Sequence, residues 1–158
     1  MATKNVRSSI NRKGIGDAAV DGLLAGVAAG IVMILFLLAA GLITRDSPVM
    51  VLGRFDLQAA SRPVVGLLTH IAISAIYGLF FGVLFVALVR IRPALLRWSW
   101  FAGLVYGLIL YGIAQAAFMA GANSGLVQFS SIILLLAHLI YGLIIGGVIQ
   151  RKWRKDMV

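Results

Sequence analysis

The chain has 158 residues and a formal net charge of +9, and 61% of its residues are hydrophobic. A chain of this size cannot bury so much apolar surface in a water-soluble core, so its composition excludes an ordinary soluble domain and predicts an all-α integral membrane protein. The lack of cysteine excludes disulfides and thiolate sites, and five aspartates without any glutamate leave little for acid–base catalysis, so we expect no enzymatic activity.

Four apolar segments are each long enough to cross a hydrocarbon core, which takes about 20 helical residues. They cover residues 18–43, 64–89, 98–120 and 129–149. Helices are predicted because an unclosed strand would leave backbone groups unpaired in lipid. The first segment follows basic residues but exceeds the apolar region of about 7–15 residues in a signal peptide, so we interpret it as a retained span. The sequence thus predicts one four-helix domain over 1–158, with basic tails at 1–16 and 151–158.

The positions of the cations predict an orientation. Of the 14 Lys and Arg residues, four lie before the first span, three between the second and third, and four after the last. By the positive-inside rule, both termini should be cytoplasmic in a bacterial-type inner membrane. The same edge carries residues predicted to anchor the chain at a surface of anionic lipid, namely Trp98, Trp100, Arg151, Lys152, Trp153, Arg154 and Lys155. The cations lack a nucleic-acid motif, so no nucleic-acid partner is expected.

Two pairs of segments resemble each other in the same order. AGVAAGIVM at 25–33 matches AGLVYGLIL at 102–110, and IYGLFFG at 76–82 matches IYGLIIG at 140–146. The first and third spans run in the same direction, as do the second and fourth. The pattern therefore predicts a helical hairpin duplicated in parallel, and the alternative is chance similarity between apolar segments.

Every span carries glycines spaced by four residues, which places them on one helix face where another backbone can come close. They are Gly22, Gly26 and Gly30, then Gly78 and Gly82, then Gly103 and Gly107, and finally Gly142 and Gly146. All lie in the half of their span nearer the termini, so we expect a bundle that is tight there and looser at the opposite, outer end. The alternative is that glycine is simply common in membrane helices.

Polar side chains lie in the looser half and are costly in lipid unless they face a cavity or a partner. The candidate cavity or ligand-binding residues are His70, Ser74, Tyr77, Gln115, His138 and Tyr141. The alternative is that each imidazole only bonds a neighbour as part of helix packing. Alignment of the repeats places His70 about one turn outward of His138, which disfavours a haem held by both. No metal site or cofactor is predicted, although a single histidine could hold a haem or a chlorophyll-type pigment.

The ends of the first span have separate interpretations. Asp17 and Asp21 lie at its start, where carboxylates stabilise a helix N-terminus, and this interpretation is favoured over proton transfer. The outer loop after it, residues 44–63, is too apolar for a free linker and suggests a short interfacial helix or a docking segment. The link GANSG at 121–125 should be a plain turn.

The predicted function is a non-enzymatic accessory or assembly subunit of a larger membrane complex, with membrane-protein partners or copies of itself. Small size, few catalytic groups and the glycine faces favour it. One alternative is a small transporter or channel with a polar outer cavity lined by His70, Gln115 and His138. The second is a carrier of one haem or chlorophyll-type pigment.

Overall fold

The computed structural model describes residues 13–58, 61–119 and 125–156, and these residues form helices and no strands. The helices are α1 (Ile15–Ile43), the short α2 (Pro48–Gly53), α3 (Pro63–Ile91), α4 (Ser99–Met119) and α5 (Ser131–Lys155), with 3-10 turns at Pro93–Trp98 and Gly125–Gln128. Four helices are long and apolar enough to cross a membrane, α4 together with the turn before it. The prediction of an all-helical chain with four such helices is confirmed.

Local signals explain where the helices begin and end. Gly14 precedes α1, and its N–H donates to a carboxylate oxygen of Asp17 at 3.1 Å. Arg45 adopts a left-handed conformation (φ 64°) just after α1, where a helix commonly stops. Proline opens both α2 and α3 at the first turn, where its missing N–H costs nothing. The predicted N-terminal tail lies outside the described residues up to residue 12.

Two antiparallel hairpins are held together by glycine faces. In the α1–α3 hairpin, a Cβ atom added to Gly26 would lie 2.7 Å from the Cα atom of Gly78, and one added to Gly22 would lie 2.9 Å from the Cα atom of Gly82. Real Cβ atoms do not approach that closely, so only glycine allows this helix separation. The backbones of α1 and α3 are therefore in direct van der Waals contact, which lipid cannot replace.

The α4–α5 hairpin is built in the same way. A Cβ atom on Gly103 would fall on the carbonyl oxygen of Gly142, and one on Gly146 would fall on that of Ser99. The two hairpins then join mainly where α1 packs on α5. In both hairpins the closest glycine contacts lie in the half of the bundle that contains the chain termini, which we call the terminal half; the other is the loop half.

The structure corrects the prediction for Trp153. This residue was assigned to the headgroup layer with Trp98 and Trp100, but only 2% of it is exposed, whereas the other two tryptophans are exposed. Helix α5 continues to Lys155, through most of the predicted basic tail, and turns Trp153 into the bundle. There its ring stacks on Phe85, with centroids 5.7 Å apart, and its indole N–H meets a buried carboxylate.

Segments outside the spans close the loop half. Helix α2 packs on α1 and α3, with Val51 fully buried. A Cβ atom on Gly66 of α3 would fall on the carbonyl oxygen of Leu52, so α2 also rests directly on a glycine. The apolar loop that suggested an interfacial or docking helix thus contains a helix that docks on the chain's own spans. Four residues of the GANSG link, 121–124, lie outside the described residues.

Replacing Gly26 with alanine should destabilise the fold by roughly 1–3 kcal/mol, because the new methyl group would force α1 and α3 apart. Gly147→Ala is the matched control, since nothing lies within 4 Å of a Cβ atom at that position. Its effect should stay within about 0.5 kcal/mol. The free energy of unfolding in mixed detergent micelles measures both, and equal values would show that the glycine contact does not hold the hairpin.

Candidate functional site

The loop half of the bundle contains a partly open cavity of about 170 Å³ to which all four spanning helices contribute. It brings together five of the six residues that the sequence proposed, namely His70, Ser74, Tyr77, His138 and Tyr141. The sixth, Gln115, does not line it. The Gln115 amide donates to the Tyr111 hydroxyl at 2.7 Å, one turn earlier on α4, while its neighbour Ala114 faces the cavity.

His70 links two helices across the cavity wall. Its Nε2–H donates to the main-chain carbonyl of Gly30 on α1 at 2.9 Å, and the residue is 5% exposed. Gly30 also leaves space for Ser74 of α3, because a Cβ atom there would meet the Ser74 side chain at 2.6 Å. The ring of Phe55, from the loop, stands edge-on to the imidazole with centroids 4.7 Å apart. His70 is therefore a packing element as well as a wall of the cavity.

His138 bonds only within its own helix. Its Nδ1–H donates to the carbonyl of Leu134, four residues earlier on α5, at 2.7 Å. Since a carbonyl accepts but cannot donate, this bond places a proton on Nδ1 and, in the neutral ring, a lone pair on Nε2. The ring also lies edge-on to Tyr111, with centroids 6.0 Å apart. Unlike His70, this histidine does not connect helices by a hydrogen bond.

Tyrosine hydroxyls fasten the two hairpins to each other beside the cavity. The Tyr141 hydroxyl donates to the carbonyl of Ser74 at 2.7 Å, which joins α5 to α3. The Tyr106 hydroxyl donates to the carbonyl of Tyr77 at 2.8 Å, which joins α4 to α3. Sequence analysis did not select Tyr106, although it precedes Gly107 as Tyr141 precedes Gly142. The Tyr-Gly pair was the signal that could have found it.

A buried carboxylate lies at the opposite end of the bundle. Asp21 is 6% exposed and contacts Lys13 Nζ at 2.7 Å, Lys152 Nζ at 2.6 Å and the indole N–H of Trp153 at 2.8 Å. Lys13 also meets Asp156 at 2.7 Å. Burial alone would lower the pKa of Lys13, but its bonds to the two aspartates prevail and raise it. The Asp21 carboxylate thus joins Lys13, near the start of the chain, to Lys152, near its end, through ion pairs.

The loop end has two further carboxylates, and both are paired with arginine. The guanidinium of Arg62 bonds both oxygens of Asp56, at 2.8 and 3.1 Å, and holds the pKa of that carboxyl well below its usual range. Arg54 likewise lowers the pKa of Asp46, which it contacts at 2.9 Å. Both carboxylates are therefore ionised at neutral pH and are occupied in holding the loop, so neither is available as a general acid.

The cavity offers poor support for metal or pigment binding. The described residues contain no group of three or more His, Asp or Glu side chains that could hold a metal ion. The cavity volume of about 170 Å³ is close to that of an engineered cavity of ~150 Å³ that holds benzene. A haem or chlorophyll ring is several times larger than benzene, so the cavity could take up only part of such a ring.

Four long apolar helices define a multi-pass helical membrane protein. Within that class, the model of DUF6789, described as a family of unknown function, matches residues 16–156, and the chain belongs to this family. No curated protein and no solved structure matches the chain.

The two histidines should differ in their importance for stability. His70→Ala removes a hydrogen bond between α3 and α1 and should cost about 1–2 kcal/mol, whereas His138→Ala removes a bond within α5 and should cost less than about 1 kcal/mol. Unfolding of the two variants under the same conditions measures this order. A larger loss for His138→Ala would mean that His138 makes an interhelical contact that the structure does not contain.

Proposed function

We propose that the protein is a non-enzymatic accessory subunit of a larger membrane complex. It docks through the face of α4 that points away from the other helices of the chain. The observation that carries this proposal is a pair of small residues left exposed on α4. Gly112 and Ala116 are four residues apart on exposed positions of α4, and nothing lies within 4 Å of a Cβ atom at Gly112. The nine glycines singled out by spacing all face a neighbouring helix in the chain.

The coverage of α4 agrees with this proposal. Only 17% of its most apolar stretch is buried in the chain, against 33–39% for the other three spans. Large side chains flank the small pair on the same side, including Leu108, Ile109 and Ile113. Small residues four positions apart commonly form the contact between two helices in lipid, because they let the two backbones approach closely.

The polar groups of the chain favour a structural role over catalysis. Asp21, Asp46, Asp56 and Asp156 are each paired with a lysine or an arginine, and Asp17 caps α1. A general acid or base needs a carboxyl group that is free to exchange its proton at the working pH. These ion pairs therefore support the proposal that the chain has no enzymatic activity of its own.

The transport alternative draws its support from the cavity. A path would have to continue from it into the terminal half, where glycine contacts bring α1 against α3 and α4 against α5. The prolines of the described residues lie at the first turns of helices, so the spans contain no proline hinge. This geometry favours a blind pocket over a channel.

Orientation and duplication complete the proposal. The equivalent glycine contacts in the two hairpins support a parallel duplication. The excess of cations at the terminal end supports cytoplasmic termini in a bacterial-type inner membrane, with anionic lipid at that surface.

Orientation is tested by labelling single cysteines, since the chain has none of its own. A cysteine at Ser47, an exposed residue of the outer loop, should react with an impermeant thiol reagent in intact cells. A cysteine at Ser8 should react only after the membrane is opened. If only the cysteine at position 8 is labelled in intact cells, the orientation is the opposite of the one proposed.

Docking is tested by replacing Gly112 with leucine. The bulky side chain should displace the partner helix and lower the amount of complex recovered from gently solubilised membranes, as measured by native mass spectrometry. Gly147→Leu is the matched control, because it also enters open space but has no small residue four positions away. Equal recovery of complex for both variants, or a wild-type chain found only at its own mass of 16.9 kDa, would contradict the proposal.

A further inference from the structure

Five polar side chains line the cavity in the loop half, and three of them have their hydrogen-bond donors in use; the other two are the hydroxyls of Ser74 and Tyr77. His70 donates through Nε2 to a carbonyl of α1, and His138 donates through Nδ1 to a carbonyl of its own helix. The hydroxyl of Tyr141 donates to a carbonyl of α3. Three of the polar side chains in the wall therefore give their protons to the protein backbone.

The same bonds leave acceptors in the wall. A neutral imidazole has one N–H and one lone pair, so the lone pairs are on Nδ1 of His70 and on Nε2 of His138. No residue within 13–58, 61–119 or 125–156 is hydrogen-bonded to either nitrogen. An occupant that satisfies these atoms must bring a hydrogen-bond donor.

The remainder of the wall sets the size and polarity of the occupant. The volume of about 170 Å³ suits one benzene-sized molecule. The lining contains apolar side chains such as Met33 and Leu110, and aromatic rings such as Phe55 and Tyr77. Neither a carboxylate nor a lysine or arginine is among the described residues that line it. An ion in the cavity would therefore lack a counter-charge, whereas a neutral ring needs none.

We propose that this cavity binds one small uncharged aromatic alcohol, a phenol or the ring of a quinol, whose hydroxyl donates to a histidine lone pair. The ring fills the apolar space and packs against the aromatic side chains of the wall, where offset or edge-on contacts are favourable. Binding takes place within one chain and does not depend on the docking of α4. The two proposals can therefore fail separately.

The experiment uses the full-length protein in lipid nanodiscs and three fluorinated probes followed by ¹⁹F NMR, with empty nanodiscs as the measure of partition into lipid. 4-Fluorophenol has the ring and the donor, 4-fluoroanisole has the oxygen without the proton, and fluorobenzene has the ring alone. 4-Fluorophenol should bind saturably and about fivefold to tenfold more tightly than fluorobenzene, which is the contribution of one hydrogen bond. 4-Fluoroanisole, which has no proton to donate to a histidine lone pair, should bind less tightly than 4-fluorophenol.

Variants locate the site. Ala114→Phe should fill the cavity and abolish saturable binding, while Ala117→Phe, at an exposed position on the same helix, should not. His138→Phe removes one acceptor without breaking a bond between helices, and the double variant with His70→Phe removes both. The preference for 4-fluorophenol over fluorobenzene should decline in these variants and disappear in the double variant.

The proposal is overturned by any of three results. One is partition equal to that in empty nanodiscs, which would leave only water in the cavity. Another is equal affinity for 4-fluorophenol and fluorobenzene. The third is a preference for 4-fluorophenol that survives Ala114→Phe. If the double histidine variant does not fold, the single His138→Phe variant and the comparison of probes on the wild-type chain still decide the outcome.

Discussion

Helices in lipid gain nothing from the hydrophobic effect when they pair, so they associate where their backbones can touch. The chain meets this requirement twice, with Gly26 against Gly78 in one hairpin and Gly103 against Gly142 in the other. Each contact is so close that any side chain would collide with backbone atoms. The helix separation in the terminal half follows from this contact, and the positions of the remaining side chains depend on it.

The cavity is a consequence of where the glycine contacts stop. Towards the loops, the side chains of Ser74 and His70 stand between α1 and α3 in place of bare backbone. Helix α2 and the Arg54 side chain, which contacts Asp46 and Gln128, then cover the loop end. A bundle whose helices touch at one end and are covered by a loop at the other leaves a partly open space between them. Polar side chains such as His70 and Tyr141 can lie within this apolar bundle because they are hydrogen-bonded to backbone carbonyls of neighbouring helices.

The sequence predicted whatever depends on local pattern. Span length, composition and the four-residue spacing of glycine are visible in a single helix, so the four helices could be predicted, as could His70 and His138 as candidates. Trp153 was misplaced because its partner Asp21 is 132 positions away, and only the packing of α5 on α1 brings them together. Gly66 was overlooked for a similar reason, since its partner Leu52 lies in a loop helix and no glycine stands four residues from it.

Contact between glycine backbones is tested most directly by solid-state NMR of the protein in lipid bilayers, with ¹³C introduced at glycine Cα atoms and the resonances assigned. The structure predicts cross-peaks between Gly26 and Gly78 and between Gly22 and Gly82, which require Cα atoms within about 5 Å of each other. Diluting labelled with unlabelled protein should leave the cross-peaks in place, because the contacts lie within one chain. Their absence, or their loss on dilution, would contradict the account.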